Sequence, residues 1–185
     1  GLPSFGYLLG LVHDMGKYTD KFNNYIHSAA TGKYVKRGSV NHTFAGVIFI
    51  WERFHSNSDK YCVLLCELIC CAVGSHHGLY DCTDPDGKSG FLHRLKKDRI
   101  ELEYDKAVKR FLQLCAGHEE IDRLFADAKR ELSEKLALLP ELRRSFYYSA
   151  LERLLVSVLI DADRTDTAGF MYNNAGRNEP LGNIA

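Results

Sequence analysis

The stretch Leu8–Lys17, LLGLVHDMGK, sets an adjacent histidine and aspartate, His13 and Asp14, at the end of an apolar helical run. Tyr7, Leu8, Leu11 and Val12 recur at helical spacing, and Gly16 is the residue that most easily takes the left-handed conformation ending a helix. His13 and Asp14 are therefore expected in the last turn. Successive side chains there stand about 100° apart around the axis, yet a fraying terminal turn lets an imidazole and a carboxylate converge on one ion. Taken alone, the pair reads as a capping histidine beside a solvated aspartate. What argues for a metal is how the other histidines are arranged.

With 185 residues, 45% hydrophobic and 26% charged, the chain fits one globular domain that buries its own core without disulfides or metal staples. Lys+Arg and Asp+Glu both number 24. No global field then draws the chain to nucleic acid, and any phosphate-binding surface has to come from local clusters. Cys62, Cys66, Cys70, Cys71, Cys82 and Cys115 contain no C-x-x-C pair, and the first three are spaced by four along one apolar run. They read as reduced core residues of a cytoplasmic protein. No run reaches the roughly 18 apolar residues of a membrane span, so no membrane partner is expected. The sequence opens inside a helical pattern, with no leader, as a partial domain would.

Downstream, each segment reads as a helix or a connection between helices. Thr19 or Asp20 caps a helix with Phe22, Tyr25 and Ile26 on one face, ending near Thr31-Gly32. His27 within it has no local partner. Gly32 to Asn41, carrying Lys33, Lys36 and Arg37, reads as an exposed basic loop, ordinarily just solvated and also a place where a phosphate backbone could be held. In NHTFAGVIFIWERF, residues 41–54, Phe44, Val47, Ile48, Trp51 and Phe54 trace a helical stripe with His42 in its first turn. Asp59 to Gly74 is apolar nearly all round and is expected to cross the core. It runs into GSHHGLYD, residues 74–81, where Gly74 and Gly78 bracket His76 and His77. Two adjacent imidazoles cannot share one face of a regular helix, but a helix end loosened by glycine lets both rings turn toward one centre.

DCTDPDGKS, residues 81–89, lacks the further acids of a calcium loop and reads as a turn, and a basic cluster of Arg94, Lys96, Lys97 and Arg99 follows it. The amphipathic segments from Asp98 through the 130s, with Ala107 and Phe111 and then Ile121, Leu124 and Phe125, are expected to be peripheral. Pro140 opens a long helix whose centre, LLVSVLI, is expected to be buried all round. Directly after it stand Asp161, Asp163 and Asp166, and carboxylates at the end of a buried run ask for a cation or a hydrogen-bonding partner. The Gly- and Asn-rich run beyond Thr167 reads as a tail.

Read together, HDMGK (13–17), KFNNYI (21–26), NHTFAG (41–46), SHHGL (75–79) and DADRTDT (161–167) resemble the HD nuclease domain of the type I CRISPR interference nuclease-helicase. That family lies within the HD superfamily of metal-dependent phosphohydrolases, and the resemblance spans Tyr7 to Thr167. It implies an all-α, HD-type helical bundle that degrades single-stranded DNA in antiviral defence. It further implies a nuclease domain over residues 1–169, with 170–185 leading toward a helicase region. The metals implied are divalent transition ions, manganese, nickel, cobalt or iron, and the mixed donors also suit zinc. Carried over by residue, Asp14 is shared between two metals, His13 and Asp163 serve the first, and His42, His76 and His77 serve the second. Asp161 is the alternative to Asp163, and Lys17 would hold a non-bridging phosphate oxygen. Single-stranded DNA, the helicase domain of the same protein and the CRISPR surveillance complex are the implied partners.

Two departures bear on that assignment. The family has one more histidine upstream of the HD helix, and none precedes His13 here, so the first site is expected to be the emptier. Where the family often has Asp-His-Ser, this chain has Asn41-His42-Thr43, which keeps a hydroxyl and loses a carboxylate. The competing readings are an HD phosphohydrolase acting on a nucleotide or cyclic dinucleotide, and a helical interaction module without metal. No aromatic run in the sequence obviously grips a base, which weighs against the nucleotide enzyme.

Overall fold

The computed structural model describes residues 1–36, 38–78 and 90–175, with side chains through residue 169. Among the described residues the chain forms eight α-helices and no strand, the all-α architecture its periodicities predict. They are α1 (Pro3–Val12), α2 (Asp20–Ala30), α3 (Phe44–Phe54), α4 (Lys60–Ser75), α5 (Gly90–Arg94), α6 (Tyr104–Leu114), α7 (His118–Ala137) and α8 (Arg144–Ala175). A 3-10 turn, Met15–Tyr18, joins α1 to α2.

The helices start where local chemistry satisfies their first amides. Thr19 Oγ1 accepts from Phe22 N (3.2 Å) at α2, and Asp59 Oδ1 accepts from Tyr61 N (2.9 Å) at α4. α1 has Pro at its start and no cap of its own. The carboxylate of Glu131 on α7 supplies one from afar, accepting from Ser4 N (3.0 Å) and Phe5 N (3.2 Å). That cap also fixes the register of α1 along α7, its most extensive partner.

The core lies where α1, α3, α4 and α7 meet. Phe5, Leu8 and Val12, then Phe44, Ile48 and Ile50, then Leu65 and Ile69, then Ile121 and Leu132 are fully buried. Each such side chain contributes about 1.5–3 kcal/mol of transfer free energy. Cys62, Cys66 and Cys70 are buried as expected, and the Cys66 and Cys70 thiols face the Ile50 and Val47 carbonyls at 3.6 Å, lacing α4 to α3. Cys71 is half-buried and Cys115 is exposed, so neither belongs to the core. Cys82 and the DCTDPDGKS loop lie outside the described residues.

Two expectations about burial are corrected. α6 and α7 are not peripheral: Ala107, Phe111, Ile121, Ala128 and Leu132 are sealed in the core. Their charge describes only the outer face, while the apolar stripe at helical spacing is inward. The reverse holds for α8. It lies on α4 with Leu155 and Leu159 buried, but Leu154 and Val158 are 58% and 56% exposed. Seven apolar residues in a row cover every direction around a helix, and among the described residues α8 packs mainly on α4. α8 also continues past Thr167 to Ala175, so the three aspartates sit within a helix and not at its end. No helix among the described residues is long and apolar enough to cross a membrane.

Candidate metal centre

The HD stretch ends differently from its expected helical stop. α1 stops at Val12, and His13 caps it with its N–H on Leu9 O (3.2 Å). Asp14 leaves the helix at φ −106°, ψ 16° and leads into the 3-10 turn. Gly16 lies in that turn and is not left-handed. Its N–H donates to His42 O (3.0 Å), and a Cβ there would stand 2.2 Å from the same oxygen. Glycine is required for close approach, not for a positive φ. Gly46 does the same for α3, where a Cβ would meet Val12 O at 2.1 Å. These two backbone contacts bring His42 beside the HD pair.

His42 itself precedes α3 and does not belong to its first turn. Asn41 Oδ1 accepts from Phe44 N (3.2 Å), so Asn41 helps start the helix. At the far end of α4, His76 follows Ser75 and His77 leads into Gly78, whose N–H bonds back to Ser75 O (2.8 Å).

Backbone carbonyls fix which ring nitrogen is available. Nδ1 of His13 donates to Gly10 O (2.7 Å), Nδ1 of His42 to Val40 O (3.3 Å) and Nδ1 of His76 to Val73 O (2.6 Å). In each neutral ring the lone pair is therefore on Nε2. Two groups of potential donors result, His42-His76-His77 and His13-Asp14-Asp163, and the donor atoms of each lie within 4.8 Å of one another. His42 Nε2 and His77 Nε2 are 2.7 Å apart. Asp14 reaches toward both groups: Oδ2 is 2.9 Å from His13 Nε2, and Oδ1 is 3.9 Å from His42 Nε2.

Electrostatics separate the two groups. Burial opposes protonation of His13, but its contact with Asp14, the Gly10 carbonyl and Asp163 outweigh burial and raise its pKa. Burial also opposes ionisation of Asp14, yet His13 and Lys17, whose Nζ is 2.5 Å from Oδ2, hold the carboxyl well below the usual range. Burial dominates at His76, taking it down to about 4, and lowers His42 as well. His42 and His76 are thus neutral at pH 7, with their Nε2 lone pairs available.

A divalent cation fits what these residues leave unsatisfied. Asp14 Oδ1 and His76 Nε2 are buried, among the described residues, without a hydrogen-bond partner, and His13 Nε2 has Asp14 Oδ2 beside it at 2.9 Å. Leaving such an atom unpaired costs about 1–3 kcal/mol. Imidazole nitrogens mixed with carboxylate oxygens suit borderline transition ions better than oxygen-seeking magnesium.

The sequence-derived candidates separate cleanly in space. His13, Asp14, His42, His76, His77 and Asp163 come together, with Asp163 Oδ1 3.8 Å from His13 Nε2. Asp161 is exposed and lines a different cavity, with Arg153 and Arg164. His118 stacks on Phe49 and His55 on Trp51, away from the centre. The centre opens into a cavity of about 700 Å³ lined by Lys17, His42, His77, Arg94, Asp163 and Thr167, and also by Phe22 and Tyr25. Thr167 was missed in the sequence, although its place four residues after Asp163 on one helix face was the available signal. Two aromatic rings one helical turn apart, Phe22 and Tyr25, stand in the cavity wall with centroids 6.1 Å apart.

Comparison with protein families matches the model described as "Cas3, HD domain" to residues 3–165. No curated protein and no solved structure matches the chain.

Proposed function

Because this chain belongs to the Cas3 HD-domain family of CRISPR-associated HD nuclease domains, we propose that it degrades single-stranded DNA in antiviral defence at a centre of one or two divalent transition ions. The observation that carries the reading is the pair of donor groups joined through Asp14, with Asp14 Oδ1 and His76 Nε2 buried and unsatisfied. In this reading His13, Asp14 and Asp163 hold one ion, and Asp14, His42, His76 and His77 hold the other. Manganese, nickel, cobalt, iron or zinc suits these donors. When bound, such ions activate water and neutralise charge on a phosphodiester.

The chain's own contributions follow from its geometry. The Gly10, Val40 and Val73 carbonyls hold three imidazoles in the tautomer that aims Nε2 inward. Asp14 stays ionised across the physiological range and offers one oxygen to each group. Lys17 rests on Asp14 and is partly exposed to the cavity, within reach of a non-bridging phosphate oxygen. The same reading gives the domain a helicase domain and the CRISPR surveillance complex as partners in the cytoplasm.

The test is cleavage of labelled single strands by protein stripped with chelator and resupplied with each metal in turn. Metal-stimulated cleavage by the parent is expected, and Asp14→Ala should fall to background with its helical circular dichroism unchanged. A parent that no metal stimulates, or an Asp14→Ala variant that cuts as well as the parent, would overturn the assignment.

A further inference from the structure

α2 is amphipathic, yet none of its residues is buried. It is anchored at its start instead of along its face. Lys106 Nζ and Arg110 Nη1 reach the Asp20 carboxylate (2.5 and 2.7 Å), and Glu103 Oε2 accepts from Lys21 N (2.8 Å). The apolar face held in this way is left for something other than the core. Phe22 and Tyr25 on that face have ring centroids 6.1 Å apart, tilted by 35°, and both line the cavity over the centre. The Phe22 ring meets His42 edge-on at 5.2 Å, and Lys17 Nζ stands 5.9 Å from its centroid. An aromatic wall therefore begins against the imidazole group, and the cations Lys17 and Arg94 line the same cavity.

Aromatic rings beside a cationic groove are how proteins hold single-stranded nucleic acid without reading its sequence, since every base has a face to stack. The cations meet the phosphates, and the rings meet the bases. A duplex offers no such face, because each base is already stacked on its neighbours. We propose that Phe22 and Tyr25 form a platform on which a base of the single strand stacks while an adjacent phosphodiester lies at the His13-Asp14 centre. This rests on the nuclease reading of that centre and adds to it a physical basis for selecting unpaired strands.

Tyr25 is the cleaner probe, because Phe22 also touches His42. Fluorescence anisotropy should be measured on an oligothymidylate and on an abasic deoxyribose-phosphate strand of equal length. The parent is expected to bind the thymidylate about tenfold or more tightly than the abasic strand. Tyr25→Ala should lose a similar factor on the thymidylate, and Tyr25→Phe should recover most of it. Removing the base and removing the ring should not add, because both delete one stacking contact. Equal thymidylate affinity for parent and Tyr25→Ala, or two losses that simply add, would overturn the platform. Binding is scored apart from cleavage. Coupling without metal-stimulated cleavage upholds the platform and sinks the nuclease reading, whereas cleavage without coupling does the reverse.

Discussion

The two halves of the centre are made of similar atoms but held in opposite electrostatic states. His13, Asp14 and Asp163 join two helices distant in sequence, keep a carboxylate ionised, and pull the imidazole toward protonation. His42, His76 and His77 crowd three rings together, with His42 and His77 centroids 4.7 Å apart and His76 and His77 3.9 Å apart. Burial there drives His76 and His42 toward the neutral form. Protonation is favoured at His13, whereas burial keeps the His42 and His76 rings neutral at pH 7. The difference arises from where charge is available: Asp14 stands 2.9 Å from His13 Nε2 but 3.9 Å from His42 Nε2, and at His42 and His76 burial outweighs it and the Val40 and Val73 carbonyls.

The strongest way to break the comparison is to push the halves apart. Gly16→Ala places a methyl on the backbone of His42, an obstacle that no side-chain rotation relieves. It should cost about 2–4 kcal/mol in urea denaturation and displace His42. Gly10→Ala, with nothing within 4 Å of its Cβ, should instead gain roughly 0.5–1 kcal/mol as an ordinary helix substitution. If the two variants prove equally stable, the close approach of Gly16 to His42 is not what holds the centre.

A smaller and more selective change removes one donor from the carboxylate half. Asp163→Asn should weaken the less tightly held ion by about tenfold or more, with the imidazole half keeping its own. Asp161→Asn should leave both unchanged, because Asp161 faces another cavity. Calorimetric titration with manganese checks this, and equal losses in the two variants would mean that the wrong aspartate has been assigned.

The smallest effect sharpens the contrast in protonation. Without metal, His76 is neutral in the fold down to about 4, whereas an unfolded histidine protonates near 6.5. The unfolded state then binds more protons between those values, so stability falls as the pH drops through that window. His13 acts oppositely. Its raised pKa adds stability below 6.5 that is lost as the pH rises through the folded value. His76 and His42 together outnumber it. The metal-free protein should lose on the order of 1 kcal/mol between about pH 7.5 and about pH 5.5, as read from urea midpoints. His76→Gln should flatten this dependence. A slope that survives the substitution would place the titrating group elsewhere.

Much of this centre was legible before any coordinates. The adjacent pairs His13-Asp14 and His76-His77 stand at the ends of apolar runs, and the helices do end there. Helix existence was legible for the same reason, since a 3.6-residue apolar period has one physical solution. What the period does not say is how many sides of a helix are covered. Ile121 and Phe125 looked like one face of a peripheral helix and are core, while Leu154 and Val158 looked like core and are exposed. Gly16 was misread for a related cause. A glycine needed for a left-handed turn and one needed to admit a neighbouring carbonyl are the same letter, and only the position of His42 distinguishes them.

The sequence by itself determined the helices, a cap for α2 at Thr19 or Asp20, and the inventory of imidazoles and carboxylates. All of these depend on neighbours within a few positions along the chain. Tertiary structure alone decided that Asp163 and not Asp161 meets His13, that Glu131 caps α1, and that Phe22 and Tyr25 look into the cavity. Those outcomes depend on which face of a helix another segment covers. That is settled by the packing of elements far apart in sequence, where the rotation of one helix by a single residue exchanges a ligand for a solvated side chain.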